Sequence, residues 1–407
     1  MKVLVIGSGG REHAIVWKFA QSEHVEKVYC APGNAGINRV AKAECVNLPL
    51  KGDFAEVRNF VKENGIDLTF VGPEDPLVNG IVDAFEADGL RVFGPSREAA
   101  QLEGSKIYCK DFMFEAGIPT AAAQYFTEAA PALDFLKTLT APYVIKAFGL
   151  AAGKGVTVAR SFEEAEVAVR ESLEQKIFGE AGSKILIEEF LDGEEASILA
   201  FTDGVTVLPM PTAQDHKAAY DGDLGPNTGG MGAYSPAPVV TPALEKEIFD
   251  TVLKPAVDGM RKRGVPYKGV LYAGLMICKD GRPRVVEFNC RFGDPETQPL
   301  LMRLESDLLD IALAVADGNL HTVMPVWKTD PSVCVVLASG GYPGAYEKGK
   351  EISGLDDVSE DNNAVVFHAG TTLKDGKVVT SGGRVLGVTV SAPELKDAIA
   401  RAYEMCG

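Results

Sequence analysis

The chain is short of positive charge. Its 407 residues carry 40 Lys or Arg against 57 Asp or Glu, a formal net charge of −17. So acidic a balance disfavours nucleic acid and anionic membrane surfaces, and neither is expected as a partner. Cysteine is scarce as well: seven residues, at 30, 45, 109, 278, 290, 334 and 406, with no Cys-x-x-Cys pair. An odd, scattered set supports neither a disulfide framework nor a zinc site. No apolar run is long enough to span a bilayer and no signal peptide precedes Val3, so a cytoplasmic protein is expected. Glycine, by contrast, is plentiful at 43 residues, and glycine in such numbers has specific uses. The length exceeds one ordinary core, so two to four domains are expected. If the ligands are phosphates, local Lys, Arg, backbone N–H groups and metal must supply the positive field.

The most informative stretch is Val285-Val286-Glu287-Phe288-Asn289-Cys290-Arg291-Phe292-Gly293-Asp294-Pro295-Glu296. It follows the apolar run Val270 to Cys278 and a Lys279-Asp280-Gly281-Arg282 turn, and reads as the return strand of a hairpin. Residues two apart on a strand share a face. Glu287, Asn289 and Arg291 are therefore expected on one side, and Val286, Phe288, Cys290 and Phe292 on an apolar wall. Oxygen donors of this kind suit Mg²⁺, and the neighbouring guanidinium suits a carboxylate or phosphate. Cys290 falls on the apolar side, where packing rather than nucleophilic chemistry is expected.

From the N-terminus, Lys2 to Ile6 reads as a strand, Gly7-Ser8-Gly9-Gly10 as a turn and Arg11 to Gln21 as a helix. That unit points backbone N–H groups, including those of Gly9 and Gly10, at an anion. A dinucleotide site would want an acid after the next strand, but Lys27 to Cys30 runs into Ala31-Pro32-Gly33-Asn34. A phosphate-bearing small molecule fits better, with Asn34 among its candidate contacts. Further strands are expected at Leu68 to Gly72 and Arg91 to Gly94; Glu74, just past the first, either holds ribose hydroxyls or starts a helix.

Two strands, Ala141 to Lys146 and Val156 to Ala159, flank a glycine-rich loop that includes Gly149, Gly153, Lys154 and Gly155. Its glycine spacing is one residue too short for a Walker A motif, and Gly155 stands where Ser or Thr would be required. The loop is either a hairpin folding over a triphosphate or a flexible tip. Lys184 to Glu188 is a strand running into Glu189-Phe190-Leu191-Asp192-Gly193-Glu194-Glu195, a segment able to face an adenine edge and a ribose. Gln214-Asp215-His216-Lys217 and the run Asp221 to Gly232 read as a long polar loop of functional type, in which His216 positions or acts as base. Thr241-Pro242 opens a helix that closes at Arg261-Lys262-Arg263-Gly264. One helix is expected from Pro299 to Asp317. Strands at 332–338, 364–367 and 384–390 and a helix at 393–403 follow a composition shift near Trp327.

Gly7 to Ala14, Gly149 to Val156, Gly225 to Gly232 and Arg291-Phe292-Gly293-Asp294-Pro295-Glu296-Thr297-Gln298 together resemble the phosphoribosylamine–glycine ligase family, the glycinamide ribonucleotide synthetases of the ATP-grasp superfamily. The resemblance implies an α/β multi-domain chain. Its parts would be an N-terminal parallel-sheet (pre-ATP-grasp) domain over 1–103, an ATP-grasp core over 104–327 with a mobile lid subdomain at about 122–192, and a small C-terminal α+β domain over 328–407. It implies glycine and 5-phosphoribosylamine as substrates, ATP with Mg²⁺ or Mn²⁺ as cofactors, and a monomer. Lys106 and Lys146, with the loop residues Gly153, Lys154 and Gly155, would hold ATP phosphates. Glu188, Phe190, Leu191 and Glu195 would hold adenosine, and Glu287 and Asn289 the metal, in agreement with the strand-face reading. Gly9, Gly10, Asn34 and Glu74 would contact substrate. Arg291 would orient the glycine carboxylate or an acyl phosphate, with Asp294, Asp215 and Lys217 beside it. Two departures stand out: Ala218 replaces the arginine usual after Gln-Asp-His-Lys, and Val270 to Cys278 carries no acid. Three rival readings are another ATP-grasp carboxylate ligase, a nicotinamide oxidoreductase and a non-catalytic sugar-phosphate sensor.

Overall fold

The computed structural model describes residues 1–147, 156–177, 179, 183–358 and 361–407. Gly149, Gly153, Lys154 and Gly155 lie outside the described residues. Near the N-terminus, five parallel strands order as Ala43–Cys45, Lys27–Pro32, Lys2–Gly7, Leu68–Val71 and Val92–Phe93. The central strands Lys2–Gly7 and Leu68–Val71 are near-continuous apolar runs buried on both faces, as parallel sheets require, while the edge strand Ala43–Cys45 is only partly covered. Strand order reverses between Lys2–Gly7 and Leu68–Val71, so the loops after these two strands form the crevice where such sheets take ligands.

The middle of the chain builds two antiparallel four-stranded sheets. One orders as Val207–Pro209, Gly193–Asp203, Lys268–Cys278 and Pro283–Asn289, which confirms the expected hairpin. The other orders as Ala123–Phe126, Ile185–Glu188, Tyr143–Ala147 and Val156–Ala159, covered by helices Ala129–Leu136 and Phe162–Leu173. This second sheet has its own apolar core, including Phe126, Leu133, Ile145, Val169 and Ile187. The other large cores mix residues from distant parts of the chain: Phe19, Phe70, Phe201, Phe292 and Phe367 share one. The small sheet is thus the unit least tied to the rest.

A five-stranded sheet closes the molecule, ordered Gln214–Asp215, Gly232–Ser235, Ser332–Ala338, Arg384–Ser391 and Ala364–His368, with helix Leu395–Cys406 on it. Two of its strands come from the Asp215 to Gly232 region. The long polar loop expected there therefore needs correction: it carries a hairpin of Ala218–Tyr220 and Leu224–Asn227, and its ends pair into this sheet. Strands of two to four residues are too short for alternation to show.

The helix expected over 299–317 is two, Thr297–Arg303 and Leu308–Asp317. Asp307 caps the second, accepting from the Leu309 N–H at 2.9 Å. The helix at Thr241 begins as expected, with Thr241 accepting from Leu244 and proline at its first position. It widens to a π-helical turn over Phe249–Leu253 just before Pro255, whose missing N–H cannot continue the ladder. Among the described residues no helix is long and apolar enough to cross a membrane.

A buried histidine pair ties helix Gly10–Ala20 to strand Ala364–His368. The His368 N–H donates to His13 Nδ1 at 2.8 Å, and His368 Nδ1 meets Thr371 Oγ1 at 3.1 Å. Burial and the neighbouring His368 push the His13 pKa down to about 3; burial and Arg39 push that of His368 to about 4. Both rings are neutral in the fold and take up protons once unfolded, near pH 6.5. Their stabilisation is complete above about pH 6.5 and is lost as pH falls toward the folded values. The expected contribution lost by pH 5 is about 2 kcal/mol per ring. Urea midpoints at pH 7 and pH 5 test this: the fall should shrink in His13→Gln, and equal falls in both proteins would refute it.

Candidate active site

The site is laid out by strand register. Ser197, Gly274 and Glu287 oppose one another across three strands, and Leu199, Tyr272 and Asn289 form the next row. Opposed residues share a face, so this face presents Ser197, a bare Gly274 and Glu287 beside Tyr272 and Asn289. A bulge opposite Gly274 and Leu275 inserts Val286, and both Val286 and Glu287 line the recess. Here the strict alternation expected from sequence fails. Phe288, Cys290 and Phe292 are buried in the main cores, whereas Val286 joins Ala121, Leu191, Met276 and Cys278 in a small separate cluster. One extra residue shifts the phase of everything before it. Leu191 thus stands on an apolar wall beside the recess, with Phe190 38% exposed nearby.

Lysines gather at one end. Lys146 Nζ lies 2.6 Å from Glu188 Oε2 and 3.3 Å from the Val286 carbonyl. Lys110 Nζ lies 2.9 Å from Glu188 Oε1 and donates to Thr120 Oγ1 at 2.8 Å. Both Glu188 oxygens are therefore taken by buried ammonium groups, and the side chain is a clamp between lysines. Any contact of Glu188 with adenosine falls to its backbone. Lys110 was missed in the sequence, although it sits four residues after Lys106 on the face of helix Lys106–Glu115. Lys106 makes no hydrogen bond to a described residue; burial lowers its pKa, opposed by Glu287.

No described residue hydrogen-bonds the Glu287 carboxylate. Burial works against its charge, but Lys217, Lys146, Lys106 and Arg291 outweigh that and hold it ionised. Asn289 Oδ1 accepts from Arg291 Nη2 at 3.1 Å, which fixes the amide and leaves the oxygen a second lone pair. An anionic and a neutral oxygen, adjacent on one face with Lys217, Lys146, Lys106 and Arg291 around them, fit a hard divalent ion that keeps waters. Among the described residues no group of three or more His, Cys, Asp or Glu could close around a metal. Two protein ligands suit an ion whose remaining positions go to phosphate and water.

Arg291 lies just past the strand end. Its Nε donates to Glu74 at 3.1 Å, Nη2 to Glu103 at 2.6 Å and Nη1 to the Phe292 carbonyl at 3.3 Å. With Asn289 this leaves one Nη1 hydrogen. Burial opposes the Arg291 charge, but Glu103 and Glu74 hold it firmly on. The Glu74 carboxyl, raised by burial, is pulled by Arg291 and Arg11 down to about 2. Glu74 starts helix Glu74–Val78, one of its two sequence readings, and its carboxylate is taken up by Arg291. Glu103 carried no sequence signal at all.

The acidic end holds Asp215, Glu195, Lys217 and, behind them, Glu296. Lys217 Nζ sits 2.7 Å from Glu195 Oε2. Burial, then Glu296, raises the Asp215 pKa to about 7 against the pull of Lys217. Glu296 is buried beneath Gly293, bonded by the Tyr272 hydroxyl and at 3.3 Å by Ser197 Oγ. His216 is exposed, its ring 5.3 Å from that of Tyr234.

The crevice of the parallel sheet adjoins this site. Gly9 N–H donates to Glu12 Oε2 at 2.6 Å, so the helix start already holds a carboxylate. Glu12 needs Gly72 bare, since a Cβ there would fall 2.2 Å from its Oε1. Gly9 and Gly10 both lie against the Asp294 carboxylate. Asn34 gives its amide hydrogens to the Ser8 and His368 carbonyls at 2.8 Å and accepts from the Gly36 and Ile37 N–H groups. Its side chain is spent joining three loops. Arg384 Nη1 donates to the carbonyls of Asp294 at 2.6 Å and Gly229 at 2.5 Å. The Ser381 to Arg384 turn thus fastens the C-terminal sheet to the Asp294 motif.

Three family models match: the N domain of phosphoribosylglycinamide synthetase over residues 1–103, its ATP-grasp (A) domain over 104–297 and its C domain over 332–407. The phosphoribosylamine–glycine ligase of Vibrio parahaemolyticus is 56% identical over 405 residues, covering 100% of this chain and 94% of that protein. The crystal structure of the ligase of that name from Thermotoga maritima is 35% identical with a TM-score of 0.84, covering 100% of this chain and 96% of that one. The biotin carboxylase domain of Hydrogenobacter thermophilus 2-oxoglutarate carboxylase, at 17% identity and TM-score 0.77 over 99% of this chain and 89% of its own, shares the fold. Matched along nearly its whole length by the three domain models, the chain belongs to the phosphoribosylglycinamide synthetase family.

Proposed function

We propose that the chain joins glycine to 5-phosphoribosylamine at the expense of ATP, through glycyl phosphate, giving glycinamide ribonucleotide, ADP and phosphate. The observation that carries this reading is the Glu287 carboxylate, which no described residue hydrogen-bonds, beside Asn289 and faced by Lys106, Lys146 and Lys217. A binding protein has no need of such a magnesium-triphosphate arrangement.

A carboxylate oxygen is a poor leaving group. A glycine oxygen therefore takes the γ-phosphoryl group of ATP and ADP departs. The amine nitrogen then attacks the acyl carbon, phosphate leaves, and the nitrogen loses a proton. Positioning and electrostatic stabilisation supply most of the acceleration. Lys106 and Lys146 hold phosphate oxygens, with Lys110 and Glu188 keeping Lys146 in place. Phe190, Leu191, Glu195 and the Glu188 backbone receive adenosine. Arg291 orients the glycine carboxylate or the acyl phosphate through its remaining Nη1 hydrogen, with Asp294, Asp215 and Lys217 as polar neighbours. A divalent ion held by Glu287 and Asn289, Mg²⁺ or Mn²⁺, would neutralise charge on the phosphates. The sugar phosphate lies in the crevice by Gly9, Gly10 and Glu74. The small sheet, with its separate core, acts as a lid that excludes water from the acyl phosphate. On this reading the enzyme works in the cytoplasm as a monomer.

Glycine labelled with ¹⁸O in its carboxylate tests the chemistry. ADP release should require both glycine and 5-phosphoribosylamine, and one labelled oxygen should pass into the phosphate formed. ADP release without glycine, or phosphate free of label, would overturn the reading.

A further inference from the structure

The geometry points to Gly274 as the residue that restricts the amino-acid substrate to glycine: it forms the floor of a recess in which the substrate lies with its ammonium against Asp215. This rests on the reading above and names a determinant of its specificity.

Most close-packed glycines here are demanded by the fold. A Cβ on Gly293 would fall 2.4 Å from Glu296 Oε2, and one on Gly193 2.1 Å from the Ile277 carbonyl oxygen. Gly274 differs. It lies mid-strand with no left-handed φ, and its Cβ would meet the Glu287 Cγ and carbonyl oxygen at 3.5 Å and Tyr272 Cε2 at 3.9 Å. These are ordinary contacts, so neither backbone nor packing asks for glycine. What the missing methyl leaves is space, in the recess bounded by Ser197, Asp215, Tyr272 and Glu287.

The charges around that space suit a small zwitterion. At the Glu287 end stand Lys106, Lys146 and Arg291, cations suited to a carboxylate placed beside the phosphoryl donor. At the other end lies Asp215, whose carboxylate receives no hydrogen bond from another described residue. Lys217, which also lines the recess and attracts Asp215, places its ammonium 2.7 Å from Glu195, so Glu195 shares that charge and Asp215 keeps its oxygens for a second cation. Strands stand about 4.8 Å apart, so Ser197, Gly274 and Glu287 step across the floor at that interval. A molecule reaching from Asp215 toward Glu287 lays its central carbon over Gly274. A methyl on the substrate or on residue 274 then competes for one volume.

Gly274→Ala and a substrate series test this. One misplaced methyl in a shaped pocket is worth roughly 10- to 200-fold in discrimination. In Gly274→Ala, kcat/KM for glycine should fall at least ~10-fold, while the KM for ATP moves less than about 2-fold and Tm stays close to that of the parent. The parent enzyme should use L- and D-alanine at least ~10-fold less well than glycine. Glycine kinetics in Gly274→Ala within about 2-fold of the parent would overturn the inference, as would efficient use of either alanine by the parent. The alanine arm stands even if the variant does not fold. Failure of the parent to depend on glycine would instead refute the reaction itself, a separate outcome.

Discussion

Glu287→Gln should lose about 10²-fold or more in turnover while keeping a cooperative fold, the scale seen on removing a principal electrostatic stabiliser. The change keeps shape and one oxygen donor and removes only the charge. In the parent that charge persists against burial because Lys217, Lys146, Lys106 and Arg291 surround it. Without it, the oxygen pair on the strand is neutral and divalent affinity falls, so the loss should be only partly recovered by raising Mg²⁺. Tryptophan-monitored urea unfolding would confirm the fold and steady-state ADP release the turnover. Parent-like rates at saturating Mg²⁺ would sink the assignment of Glu287 to the metal.

Arg291→Ala should be the most destabilising single change at the site. It leaves Glu103, paired at 2.6 Å and only 8% exposed, without its cation, and it frees Asn289. Breaking a buried pair on one side costs about 3–5 kcal/mol, much of it the stranded charge. Adding Glu103→Gln should therefore restore a good part of the stability, since a neutral amide tolerates the site better. Strictly additive losses in denaturant melts would show that the two residues are not coupled. In kinetics, Arg291→Ala should raise the glycine KM or lower kcat far more than it weakens ATP binding. An equal loss of ATP affinity would make Arg291 a nucleotide residue.

Much of the site was legible because its signals are local. Glu287 and Asn289 share a face through a two-residue period, and the hairpin that carries them was announced by an apolar run, a turn and a return. Lys146 lies near the end of a strand that the sequence announces over Ala141 to Lys146. Where reading failed, the cause was non-local or one residue long. Val286 crosses to the recess because a bulge adds one residue. Helix 299–317 divides because Asp307 caps a new start that apolar periodicity had hidden. Asn34 and Glu188 have the right chemistry for ligands, but their polar atoms are already used by partners 334 and 78 residues away at the farthest.

Periodicity, turn chemistry and capping by themselves determined the longer apolar strands, most helices, the shared face of Glu287 and Asn289 and the acidic, cysteine-poor character of the chain, since these depend on neighbours within a few residues. Only the tertiary structure decided which charges meet: Lys110 with Glu188, Glu103 with Arg291, Arg384 with Asp294, and Asp215 with Glu296 behind it. It also decided that Gly274 faces a recess. Those facts depend on sheet register and on segments far apart in the chain, and no local period carries that information.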